Sequence, residues 1–165
     1  MKSYRLELDR YDIRLLEALQ RNARLTSQEL AAVTHLSASQ CNRRQRKLEN
    51  AGLIEDYVAI VDRERSGFDV LAIINLSLAR HGHNPSEQFH QAVANMPQVL
   101  ECWAVTGDSD YVMKVVAADL RAFNRFLMQD LLALKIVTGV RTSILLQAIK
   151  HTTALPVASA LQGGH

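Results

Sequence analysis

What this 165-residue chain lacks narrows its chemistry first. It has two cysteines, Cys41 and Cys102, far apart in sequence and falling within a predicted helix and a predicted strand. Both read as small buried hydrophobes in a reducing compartment rather than as a disulfide. No apolar run approaches the roughly 20 residues that span a bilayer, and residues 1–12 are charged throughout. Neither a membrane segment nor a secretory leader is therefore expected, and the expected location is cytoplasmic. A Gly-rich phosphate loop, a Ser-His-Asp set and an H-E-x-x-H motif are all missing, so catalysis and a cofactor are not expected. His81-Gly82-His83, with His90 nearby, has no clear third ligand and reads as a polar turn instead of a metal site.

Acidic residues are absent between Ser37 and Leu48, and that gap coincides with a dense run of cations. The net charge is only +2, but residues 1–60 hold 10 Lys/Arg against 8 Asp/Glu while residues 61–165 hold 9 against 9. The whole excess lies in the first part of the chain, which suits a phosphate-bearing partner there. A composition 48% apolar and 22% charged is that of a soluble globular protein, and the length allows one domain or two small ones.

Residues 26–54 (TSQELAAVTHLSASQCNRRQRKLENAGLI) explain the cations. Thr26 and Glu29 form a T-x-x-E capping box, so a helix starts there and runs to about Val33. Ser37 and Gln40 form a second box, opening a helix that runs to Asn50 and ends at Gly52, a residue suited to a left-handed cap. Two capped helices joined by a tight turn predict a helix-turn-helix, whose second helix enters the DNA major groove. Ala38, Cys41 and Leu48 form its inner face; Ser39, Gln40, Asn42, Arg43, Arg44, Arg46 and Lys47 form the rest. Ser39, Gln40 and Arg43 are expected to approach base edges and Arg44, Arg46 and Lys47 to neutralise phosphates, with Ser37 and Asn42 beside them. An earlier helix, capped by Asp9 and ending near Asn22, completes a three-helix bundle. Residues 57–61 (YVAIV) read as a strand leaving it, which bounds a DNA-binding domain at 1–61, followed by a polar linker at 62–69.

From residue 70 the periodicities alternate. Strand character at 70–79 is followed by a helix started by Asn84-Pro85 and stopped by Pro97. Strands at 99–105 and 110–117 flank the turn Thr106-Gly107-Asp108-Ser109, Asp119 caps a second helix, and 140–149 reads as a last strand. The fold class is therefore α+β, a helix-turn-helix domain plus a ferredoxin-like βαββαβ domain at 70–157, with a disordered tail at 158–165. Two helices cover one face of a four-stranded sheet. Leu71, Ile73 and apolar residues on both sides of the 99–105 strand point to a second sheet packed on the other face, hence a homodimer.

With both halves read, the chain resembles the Lrp/AsnC (leucine-responsive, feast/famine) family of transcription regulators from Leu8 to Val157. The carriers are LDRYDIRLLEALQRNARLT, LSASQCNRRQRKLENAGLIEDY, PQVLECWAVTGDSDYVMKV and IKHTTALPV. The resemblance implies a ferredoxin-like (RAM or ACT-like) domain that senses a small effector, usually an amino acid, and builds dimers that assemble further to octamers. Gly107, Asp108, Asp110 and Tyr111 match the family's G-[DE]-x-D-Y turn beside the effector pocket, and Thr106, Thr142 and Ser143 match positions giving polar contacts there. A carboxylate can take an amino acid's ammonium, and backbone N–H groups of a glycine turn can hold its carboxylate. Without the resemblance, Asp108 and Asp110 read as residues that only shape the turn. Gln45 departs from the family's usual aliphatic residue and is expected either to snorkel from the core or to turn toward DNA. The rival readings are a tetrapyrrole (sirohaem) decarboxylase of similar architecture and a metabolite-binding regulatory subunit with an idle helix-turn-helix. The cationic helix favours neither.

Overall fold

The computed structural model describes residues 7–79 and 84–162, and the chain divides into two compact units. The pair His81 and His83 lies outside the described residues. Unit one holds residues up to Ala59 and, unexpectedly, the segment from Lys150 onward.

In unit one, helix α1 (Arg10–Arg21) begins where the Asp9 carboxylate accepts the backbone N–H of Tyr11 (2.8 Å) and Asp12 (2.9 Å), and Asp12 returns a bond to the Asp9 N–H. Helix α2 (Ser27–Thr34) starts with the predicted Thr26/Glu29 box and stops at His35, which is left-handed at φ 58°. Helix α3 (Ala38–Asn50) follows three residues later from the Ser37/Gln40 box. Its end is closed by Gly52 at φ +68°, with Leu53 N–H donating to the Leu48 carbonyl and Gly52 N–H to that of Glu49. A residue with a Cβ is strained in that conformation, so this cap depends on glycine. Leu15, Leu16, Leu19, Leu30, Cys41 and Leu48 fill the core between the three helices.

Two expectations for this unit change. Residues 57–61 form no strand: Val58 and Ile60 are exposed, and no segment among the described residues pairs with them. The tail from 158 is not disordered through 162, because helix α6 (Val157–Gln162) forms and Val157 packs onto the bundle core. Gln20 secures that segment through both ends of its amide, donating to the Leu155 carbonyl (3.1 Å) and accepting the Leu155 N–H (2.6 Å). Residues 163–165 lie outside the described residues.

The capping carboxylates give this unit an acid limit. Burial raises the Asp9 carboxyl, but backbone N–H groups of Asp12 and Tyr11 and the Arg44 guanidinium outweigh it and hold the value below the ordinary 3.8. The Thr26 N–H and hydroxyl hold Glu29 below its ordinary 4.5. Native values below unfolded ones mean that folding releases protons, so this stabilisation is complete above about pH 5 and is lost as pH falls further. The melting temperature should fall on acidification below that point, and Asp9→Asn with Glu29→Gln should flatten the fall. Parallel curves for variant and parent would refute the assignment.

Unit two (Ile60–Ile149) is the expected ferredoxin-like arrangement. Strands β1 (Val70–Leu78), β2 (Val99–Ala104), β3 (Tyr111–Ala117) and β4 (Val137–Ile144) lie in the order β2-β3-β1-β4, with all neighbours antiparallel. Helices α4 (Pro85–Ala94) and α5 (Leu120–Arg125), the latter extended by a π-helical turn (Phe126–Leu131), supply Phe89, Phe123, Phe126 and Leu131 to the core. Val70, Ala72, Ile74, Leu76 and Leu78 alternate into it from β1. Leu71, Ile73, Val112 and Trp103 lie on the other face with Asn75, Lys114, Glu101 and Arg141, as the pairings Leu71↔Val116, Ile73↔Lys114 and Trp103↔Val112 require. Two details differ from the sequence expectation. An irregularity between Val99 and Glu101 switches faces, so Val99 packs on the core while Trp103 does not. The last strand lies earlier than 140–149, because pairing with β1 ends at Ile144.

Candidate nucleic-acid interface and effector turn

Helix α3 presents one outward stripe. Ser39, Asn42, Arg43, Arg46, Lys47 and Asn50 recur at helical spacing and wall an open hollow. Arg43 and Arg46 make no hydrogen bond or ion pair among the described residues, so both guanidinium groups stay available to an external anion. Asn50 was missed from sequence because it falls at the helix end; its spacing from Asn42, Arg43 and Arg46 was the available signal.

The remaining candidates do other work. Arg44, expected to neutralise phosphate, turns inward. Its guanidinium contacts Asp12 at 2.6 Å and Asp9 at 2.8 Å, and its side chain is 20% exposed. The Asp12 hydrogen bond, against the effect of burial, pushes its pKa further up. Lys47 remains in the stripe, half-exposed, with Asp12 3.8 Å away. Ser37 and Gln40 are occupied by the cap: Gln40 Oε1 accepts the Ser37 N–H at 2.9 Å, which removes its acceptor from base reading. Gln45 neither reaches solvent freely nor joins the stripe, since its amide donates to Glu49 (3.1 Å) and to the Tyr57 hydroxyl (2.9 Å).

The effector candidates gather around the β2–β3 turn. Gly107 adopts φ +116°, which only glycine takes readily. Asp110 is committed to the scaffold: its N–H donates to the Leu76 carbonyl (2.9 Å), and its Oδ2 accepts the Leu78 N–H (2.7 Å) where β1 leaves its pairing register. Asp108 and Thr106 are exposed, and the Asp108 carboxylate has no partner among the described residues. Tyr111 is buried, its ring centroid 4.6 Å from that of Phe89 and its hydroxyl 2.9 Å from His90 Nε2; it supports the turn from beneath. Thr142 pairs with Ile74 and Ser143 with Ile73, so the two point to opposite faces of the sheet. Asp110→Ala should therefore cost about 1–2 kcal/mol of stability in unit two, read as a lower denaturant midpoint. Asp108→Ala should be neutral in the same assay. Equal effects of the two changes would contradict this division of labour.

Among the described residues no group of three or more His, Cys, Asp or Glu is placed to hold a metal, and no helix is long and apolar enough to cross a membrane. Both cysteines are free, and burial pushes the Cys102 thiol up.

Comparison with known proteins gives matching results for both units. Residues 8–55 match the winged helix-turn-helix DNA-binding model, and residues 71–155 match the Lrp/AsnC ligand binding domain model. The leucine-responsive regulatory protein of Rhizobium meliloti is 36% identical over 93% of this chain and 98% of its own length. The Bkd operon transcriptional regulator of Pseudomonas aeruginosa is 33% identical over 92% of this chain and 99% of its own. Among solved structures, a transcriptional regulator of Neisseria meningitidis in complex with L-Met superposes with TM-score 0.90 at 37% identity, covering 93% of this chain and 99% of the other.

Proposed function

The chain belongs to the Lrp/AsnC family of transcriptional regulators, and on that premise we propose that it is a DNA-binding regulator whose effector is a free amino acid. The outward stripe of α3 carries the first part of this reading. Arg43 and Asn42 approach base edges from the N-terminal half of the helix, Arg46 and Lys47 neutralise phosphates, and Ser39 stands at the groove entrance. The Neisseria meningitidis relative bound to L-Met supports an amino acid as the effector class. Asp108, exposed and unpaired on the glycine turn, takes the ammonium, while Thr106 and the N–H groups around Gly107 meet the carboxylate.

The sheet face that carries Leu71, Ile73, Val112 and Trp103 supports a homodimer, because its burial by a second sheet removes apolar surface from water. Further assembly of dimers lets the effector act by favouring one assembly over another. A thermal-shift series with the twenty amino acids tests the reading. One or a few should raise the melting temperature, as a ligand of the native state must, and Asp108→Ala should abolish that rise while leaving retention on DNA intact. A variant that still responds fully removes Asp108 from the site. A protein that binds no DNA selectively removes the regulator reading.

A further inference from the structure

On the reading of α3 as the DNA-reading helix, we infer that Ser27, on the neighbouring helix, sets base preference by fixing which end of the Asn42 amide faces the groove. Ser27 is the first residue of α2, and its hydroxyl donates to Asn42 Oδ1 across the helix-turn-helix. That bond takes one lone pair of the Asn42 carbonyl oxygen and holds the oxygen toward α2, so the NH2 end of the amide is the end turned from Ser27. The other carboxamide in this half of the helix, Gln40, has its oxygen committed to the Ser37 N–H. Arg43 beside them carries donors alone. The carboxamide and guanidinium groups of the first two turns of α3 therefore present donors foremost, with both carboxamide oxygens already engaged within the protein.

The chemistry of base edges turns this into a preference. Asparagine reads adenine by pairing its oxygen with N6–H2 and its NH2 with N7, and that pairing needs both ends of the amide turned to the base, which an oxygen held toward α2 opposes. Guanine shows two acceptors, O6 and N7, to the major groove and satisfies a donor-only surface. The base pair met by Asn42 should thus be read as guanine, with adenine disfavoured, although an asparagine at this place would by itself suggest adenine.

Selection of bound sequences from a randomised double-stranded DNA pool by the full-length protein decides the matter. The parent should enrich guanine over adenine at the Asn42 position of each half-site. Ser27→Ala frees the oxygen and should raise adenine there by on the order of tenfold, without altering neighbouring positions. Ser27→Thr, which keeps the hydroxyl, should retain the parental profile, and Asn42→Ala should flatten that position with or without Ser27. If Ser27→Ala leaves the profile unchanged while Asn42→Ala flattens it, the orienting role is overturned and the reading helix stands. If neither Asn42→Ala nor Arg43→Ala changes any position, the assignment of α3 itself fails.

Discussion

Asp12→Ala should lower the stability of the helix-turn-helix unit by about 3 kcal/mol, the cost of breaking a buried ion pair by removing one partner. Asp12 is only 1% exposed, yet it accepts from Arg44 at 2.6 Å and from the Asp9 N–H that completes the α1 cap. Its loss leaves the guanidinium lodged between α1 and α3 with the half-exposed Asp9 as its remaining carboxylate and opens the cap in the same step. At roughly 4–8 °C per kcal/mol for a unit of this size, the melting transition should fall by more than about 10 °C. Calorimetry of the full chain would detect this, with exposed Glu55→Ala as a control expected within about 0.5 kcal/mol of the parent. Joint replacement of Asp12 and Arg44 by Leu and Met should recover part of the loss, because apolar pairs of similar volume avoid the desolvation cost. An Asp12→Ala change below 1 kcal/mol would mean that Asp9 alone can hold Arg44.

The second large effect concerns DNA. Arg46→Ala with Lys47→Ala should weaken binding by on the order of tenfold per lost phosphate contact near 0.1 M salt. It should also reduce the slope of log affinity against log salt by about 1.8 for each reading head. Arg44→Ala should behave differently, acting on the melting temperature and leaving the salt slope nearly unchanged, because its charge is already neutralised by Asp9 and Asp12. Titrations at several salt concentrations separate the two classes. A salt slope that responds to Arg44 as strongly as to Arg46 would return Arg44 to the DNA face.

The contrast between Arg44 and Arg46 marks the boundary of what the chain reveals before folding. Local signals were fully legible: Asp9, Thr26 and Ser37 each announce a helix start through a hydrogen bond spanning three residues, and Gly52 announces a stop. The alternation in β1 and the cap at Asp119 placed the ferredoxin-like unit in the same way. Arg44 was not legible, because its partner Asp12 lies 32 positions away and nothing local distinguishes an inward arginine from its outward neighbours. Gln45 belongs to the same class, decided by Tyr57 beyond the end of its helix. Residues 57–61 carry strand propensity that meets no partner among the described residues, and a strand is defined by its partner. At the effector turn, the motif located the right segment but not the roles within it. Asp108 and Asp110 are equivalent as letters and diverge only when the Leu78 N–H claims one of them.

Because Val157 and the Gln20–Leu155 clasp complete the bundle that reads DNA, the order of synthesis matters. The ribosome delivers α1 to α3 early, then makes the whole intervening stretch of 60–149 before the closing segment emerges. At about 5–20 residues per second that interval is on the order of ten seconds, during which the bundle lacks its closing segment. A nascent regulator therefore closes its DNA-reading bundle only after every residue of its effector-sensing half has been made.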